Sequence, residues 1–203
     1  MRQSVVTLSG LLLLGCSTVS IAADPAYFIG AQLGYHDNSF DIDFSDPSGN
    51  NLNTSVSADG LSGGIYTGVK LYVNDRVFVT PEVNISETNA SGDLSSTAKL
   101  EAKLSYGIGV LLGMDVSPGT GVYGRLGYQK TDYEIKQDTI SEQETFDGFR
   151  YGIGIETDIA SQLAMRLEWS QTSYSESSAS GNGFSASVEP TENLFQAGIT
   201  YRF

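Results

Sequence analysis

The feature that most limits what this chain can fold into is a period-two alternation of apolar and polar residues. In residues 195–203 the odd positions Phe195, Ala197, Ile199, Tyr201 and Phe203 are apolar, and the even positions Gln196, Gly198, Thr200 and Arg202 are polar or glycine. Successive side chains of a strand point to opposite faces, so this segment has one greasy face and one wet face. Segments 27–36, 65–73, 77–85, 100–112, 122–128, 149–156 and 163–170 follow the same rule. In the first of them Tyr27, Ile29, Ala31, Leu33 and Tyr35 alternate with Phe28, Gly30, Gln32, Gly34 and His36. Eight such strands is an even number, and it closes a small all-β antiparallel barrel. Pro81 falls inside the third segment; it has no amide proton for a ladder, so a bulge or local defect is expected there.

The links between these segments also alternate. Short ones at 74–76, 115–120 and 158–162 are interleaved with long ones near 37–60, 87–98, 132–147 and 174–191. An eight-stranded transmembrane β-barrel with short periplasmic turns and long extracellular loops has this arrangement. A membrane strand needs only ~9–11 residues with every second one apolar, so a hydrophobic content of 40% is compatible with it. The rival is a soluble eight-stranded barrel whose apolar face lines a ligand cavity. Two observations favour the membrane. The non-apolar face is rich in glycine, which suits a crowded interior. The apolar face ends in aromatics (Tyr27, Tyr35, Phe149, Trp169, Tyr201, Phe203), as interfacial girdles require.

At 203 residues the chain fits one domain, assigned to 24–203. Residues 1–23 read as a signal peptide. Arg2 is followed by an apolar stretch containing Leu11-Leu12-Leu13-Leu14, then by Ser20-Ile21-Ala22-Ala23 as a cleavage site. Leu14-Gly15-Cys16 offers an alternative, lipidation at Cys16. With 24 acidic against 11 basic residues and a net charge of −13, the chain is not a nucleic-acid binder. One cysteine and one histidine rule out a disulfide framework and a Cys/His metal cluster, and no cofactor is expected.

Three strands, Val122-Tyr-Gly-Arg-Leu-Gly-Tyr128, Phe149-Arg-Tyr-Gly-Ile-Gly-Ile-Glu156 and Leu163-Ala-Met-Arg-Leu-Glu-Trp169, together with the Phe203 terminus, resemble the OmpA/OmpX-type group of small outer-membrane barrels. The resemblance covers essentially all of 24–203 and specifies architecture more than activity. It implies residence in the outer membrane of a Gram-negative cell, among lipid and lipopolysaccharide, as a monomer. It also implies that Tyr201 and Phe203 form the signal read by the outer-membrane assembly machinery. The chain ends at the barrel, so the cell-wall-binding domain of OmpA is expected to be missing.

Ten charged residues are placed on the inward face: Lys70, Glu82, Glu101, Lys103, Arg125, Arg150, Glu156, Arg166, Glu168 and Arg202. Charges inside a membrane must be paired or wet, and an eight-stranded barrel has room for little beyond its own side chains. A salt-bridged lumen is therefore expected rather than a pore. Gly107-Ile-Gly109 and Gly152-Ile-Gly154 sit in mid-strand with no helix after them, and read as packing glycines rather than phosphate loops.

The long links hold Asp37, Asp41, Asp43, Asp46 and Asp59, and further on Asp132, Glu134, Asp138, Glu142, Glu144 and Asp147. These read as a solvated anionic surface; divalent cations bridging them to lipopolysaccharide phosphates is a second reading. His36, near Ser39, is the one residue able to anchor a catalytic triad like those of the lipid A palmitoyltransferase and deacylase barrels. The local motifs of those enzymes do not match, and a histidine hydrogen-bonded at the loop base is expected. The resulting expectation is a non-enzymatic barrel serving envelope integrity or adhesion to a host or surface ligand through its loops. A narrow solute channel is the first alternative and a lipid A-modifying enzyme the second.

Overall fold

The computed structural model describes residues 24–45, 51–88, 91–95, 98–137, 140–175, 177–181 and 184–203, with backbone alone at some extracellular strand positions. The expected leader with Cys16 lies outside the described residues, as do Asp46 and Asp138.

The strands are β1 Ala26–Ser45, β2 Asn51–Tyr72, β3 Val77–Thr88, β4 Ser91–Ser95, β5 Ala98–Ser117, β6 Thr120–Gln137, β7 Ile140–Ala160, β8 Leu163–Tyr174, β9 Ser177–Gly181 and β10 Phe184–Arg202. Eight of them form the wall; β4 and β9 are short pieces in the hairpins beyond β3 and β8. Each wall strand pairs antiparallel with its neighbours in sequence, and β1 pairs with both β2 and β10. That last pairing closes the barrel and leaves the wall no free edge.

The periplasmic turns are tight for identifiable reasons. Between β2 and β3 the Asn74 side-chain oxygen accepts from the amides of Arg76 at 2.9 Å and Val77 at 2.8 Å, an Asx turn. Between β5 and β6 Gly119 takes φ 75°, a left-handed conformation that only glycine adopts without cost.

The two faces sort as the alternation requires. Phe28, Tyr66, Arg125, Arg150 and Arg166 are buried inside, and Leu33, Ile153, Phe195 and Ile199 lie exposed outside, Leu33 at 73% and Ile153 at 65%. An apolar belt running round the whole circumference far exceeds the exposed patches that soluble monomers tolerate. The soluble-barrel alternative is thereby overturned, because the greasy face points out and the lumen is polar. Among the expected girdle residues, Tyr27, Tyr35, Phe149, Tyr201 and Phe203 are exposed, and Trp169 is half-buried. Tyr201 and Phe203 pack edge to face at 5.3 Å, and the Phe203 amide donates to the Tyr27 carbonyl at 3.0 Å.

One expectation needs correction, and the one at Pro81 resolves to the second of its two forms. The long links are mostly strand: β1 runs on to Ser45 and β2 begins at Asn51, and the register holds without a shift from Ala26↔Lys70 to Ser45↔Asn51. These stretches were read as loops because their outward residues are polar above the bilayer, where no lipid demands apolar ones. Pro81 makes a local defect but no bulge. The β3–β5 ladder runs unbroken through Pro81↔Val110, while the β2–β3 ladder lapses between Gly68↔Glu82 and Leu71↔Val79 and resumes in register. The missing amide proton is absorbed on one side only.

Candidate functional site: an ion-locked lumen beneath a buried histidine

The lumen is built around three buried carboxylates. Glu82 on β3 accepts from Arg125 Nη2 and Arg166 Nη1, each at 2.6 Å. Glu156 on β7 accepts from Arg166 Nη2 at 3.1 Å and Arg202 Nη2 at 2.6 Å, with Lys70 Nζ at 3.5 Å. Glu168 on β8 lies 2.8 Å from Arg125 Nε and 3.5 Å from Arg150 Nη2, and accepts from the Tyr123 hydroxyl at 2.8 Å and Gln196 Nε2 at 2.9 Å. Toward the periplasmic end Arg202 also reaches Asp158 at 2.5 Å, and Lys70 lies 3.9 Å from Asp115. Eight of the expected residues, Lys70, Glu82, Arg125, Arg150, Glu156, Arg166, Glu168 and Arg202, thus stand in one connected network. Each charge has an opposite partner, the condition for carrying it at membrane depth.

Glu101 and Lys103 stand at a break in the β5 register. The β5–β6 register shifts between Ala102 and Ser105, and above the shift Glu101 pairs with Glu134. Lys103 falls within the shift, and the side chains of both lie outside the described residues.

Aromatic rings fill what the ions leave, and the sequence reading missed them. The Arg166 guanidinium sits 4.4 Å from the Tyr66 ring centre, and Lys70 Nζ sits 3.9 Å from that of Phe78. Tyr66, Phe78 and Tyr123 occupy the polar parity of their strands, so the alternation places them inward without marking them as the filling of the lumen. The glycines make room for them. A Cβ on Gly154 would come within 2.3 Å of the Tyr123 ring, and one on Gly30 within 2.2 Å of the Tyr66 ring. A residual void of about 10 Å³ between Lys70, Phe78, Glu156 and Arg202 has room for about one water.

At the extracellular end of this filling His36 is buried, 1% exposed, with Nδ1 3.2 Å from Glu192 Oε2. Tyr174 donates to the same Glu192 oxygen at 3.2 Å, and Thr131 links Tyr174 to Ser105 through two contacts of 2.7 Å. Burial pushes the Glu192 carboxyl up, but the His36 imidazole and the Tyr174 hydroxyl beside it outweigh that and hold it below the usual carboxylate range. Ser39 stands on the opposite parity of β1 from His36, so those two are not brought together as a catalytic pair; the acid that meets His36 is Glu192, distant in the chain and with no neighbouring motif to mark it. His36 Nε2 and both amide atoms of Asn38 are buried with no hydrogen-bond partner among the described residues. No group of three or more His, Cys, Asp or Glu able to hold a metal occurs among the described residues.

A closed antiparallel barrel with an apolar outer belt and a charged, paired interior is an outer-membrane β-barrel. The chain belongs to the family described as the outer membrane protein beta-barrel domain, which matches residues 9–203, and it is a protein of the cell outer membrane. It is 27% identical over 146 residues, 71% of this chain and 67% of the relative, to a "22 kDa outer membrane protein" of Rhizobium leguminosarum bv. viciae. Among solved structures it resembles the outer membrane protein OprG of Pseudomonas aeruginosa, with a TM-score of 0.60, 12% identity and coverage of 90% of this chain and 97% of that one. It also resembles Neisserial surface protein A, with a TM-score of 0.53, 14% identity and coverage of 89% and 100%. Likenesses at such identity concern the fold.

Proposed function

We propose that the protein is a non-enzymatic, non-conducting surface barrel that serves envelope integrity or adhesion through its extracellular hairpins. The observation that carries this is the lumen. Its charges are engaged with one another, rings occupy the remaining space, and an ion crossing it would have to break several buried pairs at once. With the interior committed, the surface available to partners is the belt and the hairpins. Lipid and lipopolysaccharide surround the belt, and the assembly machinery reads Tyr201 and Phe203 on a monomer. The acidic hairpins meet the surface ligand.

The test is current through planar bilayers containing the purified protein, alongside a deletion strain. No steady current, with altered surface binding or envelope resistance in the deletion strain, is the expected result. Stable conductance steps would make the protein a narrow channel instead. A strain unchanged in permeability, binding and stress resistance would remove the envelope and adhesion roles.

A further inference from the structure

On the lipid-facing side of the belt a furrow of about 870 Å³ runs from Tyr27, at the periplasmic rim of β1, to Tyr128 and Phe149 at the extracellular rim of β6 and β7. Its course follows the pairing Thr67↔Val83↔Ile108↔Tyr128. Its depth comes from the short outward side chains of β2 and β3, Thr67, Pro81 and Val83. The Thr67 hydroxyl donates to the Phe28 carbonyl at 2.7 Å, which keeps the lining apolar. The volume lies within the ~300–1,000 Å³ usual for small-molecule sites.

Just beyond the extracellular end of this furrow, Lys130 follows Tyr128 on the outward face of β6. It is half-buried and stands opposite Tyr106 on β5 and Asp147 on β7. The two acids nearest it in the register are engaged elsewhere: Tyr128 donates to Asp147, and Thr145 donates to Asp132 at 2.7 Å. The Lys130 ammonium makes neither an ion pair nor a hydrogen bond with a described residue. Elsewhere round this rim the described charged side chains of the outer face are Asp37, Asp59 and Glu87, all exposed and all acidic. Lys130 is therefore the one described cation at the extracellular edge of the belt.

A free ammonium above an apolar furrow matches the two ends of a lipid, an anionic head and a hydrocarbon chain. The neighbouring acids set which anion fits. Asp132 and Asp147 each keep one carboxylate oxygen outside the hydroxyl bonds, so they repel a bare phosphate and attract a positive group carried beside it. We propose that Lys130 and the furrow bind a lipid A molecule whose phosphate carries a primary amine. The phosphate meets the Lys130 ammonium, the amine of the lipid lies beside Asp132 and Asp147, and one acyl chain follows the furrow. This rests on the reading that lipopolysaccharide surrounds the belt. It is independent of the sealed lumen, since every side chain it uses faces outward.

The test is native mass spectrometry of the full-length protein released from detergent micelles. The probes are lipid A with unmodified phosphates and lipid A bearing a phosphoethanolamine group. The parent is expected to hold the phosphoethanolamine form about fivefold more tightly, the worth of one partly exposed ion pair. Lys130→Gln is expected to weaken both forms about tenfold, the loss of one charge-assisted hydrogen bond. Lys130→Arg keeps the charge and is expected to bind as the parent does. Asp132→Asn combined with Asp147→Asn is expected to remove the preference between the forms, and Val83→Trp, which fills the furrow, to weaken both. Retained heat-modifiable gel mobility shows that each variant is folded. Equal or weaker retention of the phosphoethanolamine form by the parent would overturn the proposal, and so would parent-like binding by Lys130→Gln or Val83→Trp. Retention of neither form would remove the lipopolysaccharide reading as well, whereas retention without preference leaves that reading standing.

Discussion

The membrane-spanning and extracellular halves of this barrel share one wall and one register, yet they solve opposite solvation problems. Below the Tyr35 row the outside meets lipid, so Ile29, Leu33, Ile153 and Ile199 face out, and the charges are gathered inside around Glu82, Glu156 and Glu168. Above that row the outside meets water, and the exposed residues are Ser55, Ser57 and Asp59. Side-chain period alone says that a strand has two unlike faces; only the surrounding solvent says which face turns in.

The comparison can be broken most forcefully from inside the lower half. Glu82→Ala removes the carboxylate shared by Arg125 and Arg166 and leaves each buried cation one partner short, with Glu168 and Glu156 alone to balance them. Loss of one partner of a buried pair costs ~3–5 kcal/mol, so unfolding from lipid vesicles by guanidinium is expected to shift to much lower denaturant. An unchanged midpoint would mean that the lumen is wet enough to solvate the arginines.

Next in size is a charge placed on the belt. Ile199 is exposed midway between Phe195 and Phe203, the outward aromatics that end the apolar stretch of β10. Ile199→Lys is expected to cost ~2–4 kcal/mol in the same assay. Gly154→Ala should follow at ~1–3 kcal/mol, because the new methyl meets the Tyr123 ring and forces it off Glu168. The smallest effect is the control on the other half. Thr191→Lys has the same strand and parity as Ile199 but lies above the belt, and should stay within ~0.5 kcal/mol of the parent. Equal costs at 191 and 199 would erase the boundary drawn at Tyr35.

The wall of the lower half was legible because lipid imposes a strict rule on every second residue; all eight membrane strands and the short turns between them follow from it. What escaped the sequence has physical reasons. The strand extensions were hidden because the exposed positions above Tyr35, such as Ser55, Ser57 and Asp59, are polar residues of the kind that loops also carry. Phe28, Tyr66, Phe78 and Tyr123 were hidden because a large ring on a glycine-rich face looks like noise until the facing glycines of other strands are known. The eight networked charges could be selected by parity alone. Glu101 could not be placed so, because the register shift at 102–105 leaves no local mark, and the pairing of His36 with Glu192 joins opposite ends of the chain across the seam that closes the barrel.

The most direct test of the central claim, an apolar outside with a sealed polar inside, is methyl NMR of the protein in lipid nanodiscs with two paramagnetic agents, one dissolved in lipid and one in water. The lipid-borne agent is expected to broaden the methyls of Leu33, Ile153 and Ile199, and both agents should spare Leu111, which is 1% exposed within the lumen. Broadening of Leu111 by the aqueous agent would show an open lumen, and sparing of Ile153 and Ile199 by the lipid agent would place the apolar face on the wrong side of the wall.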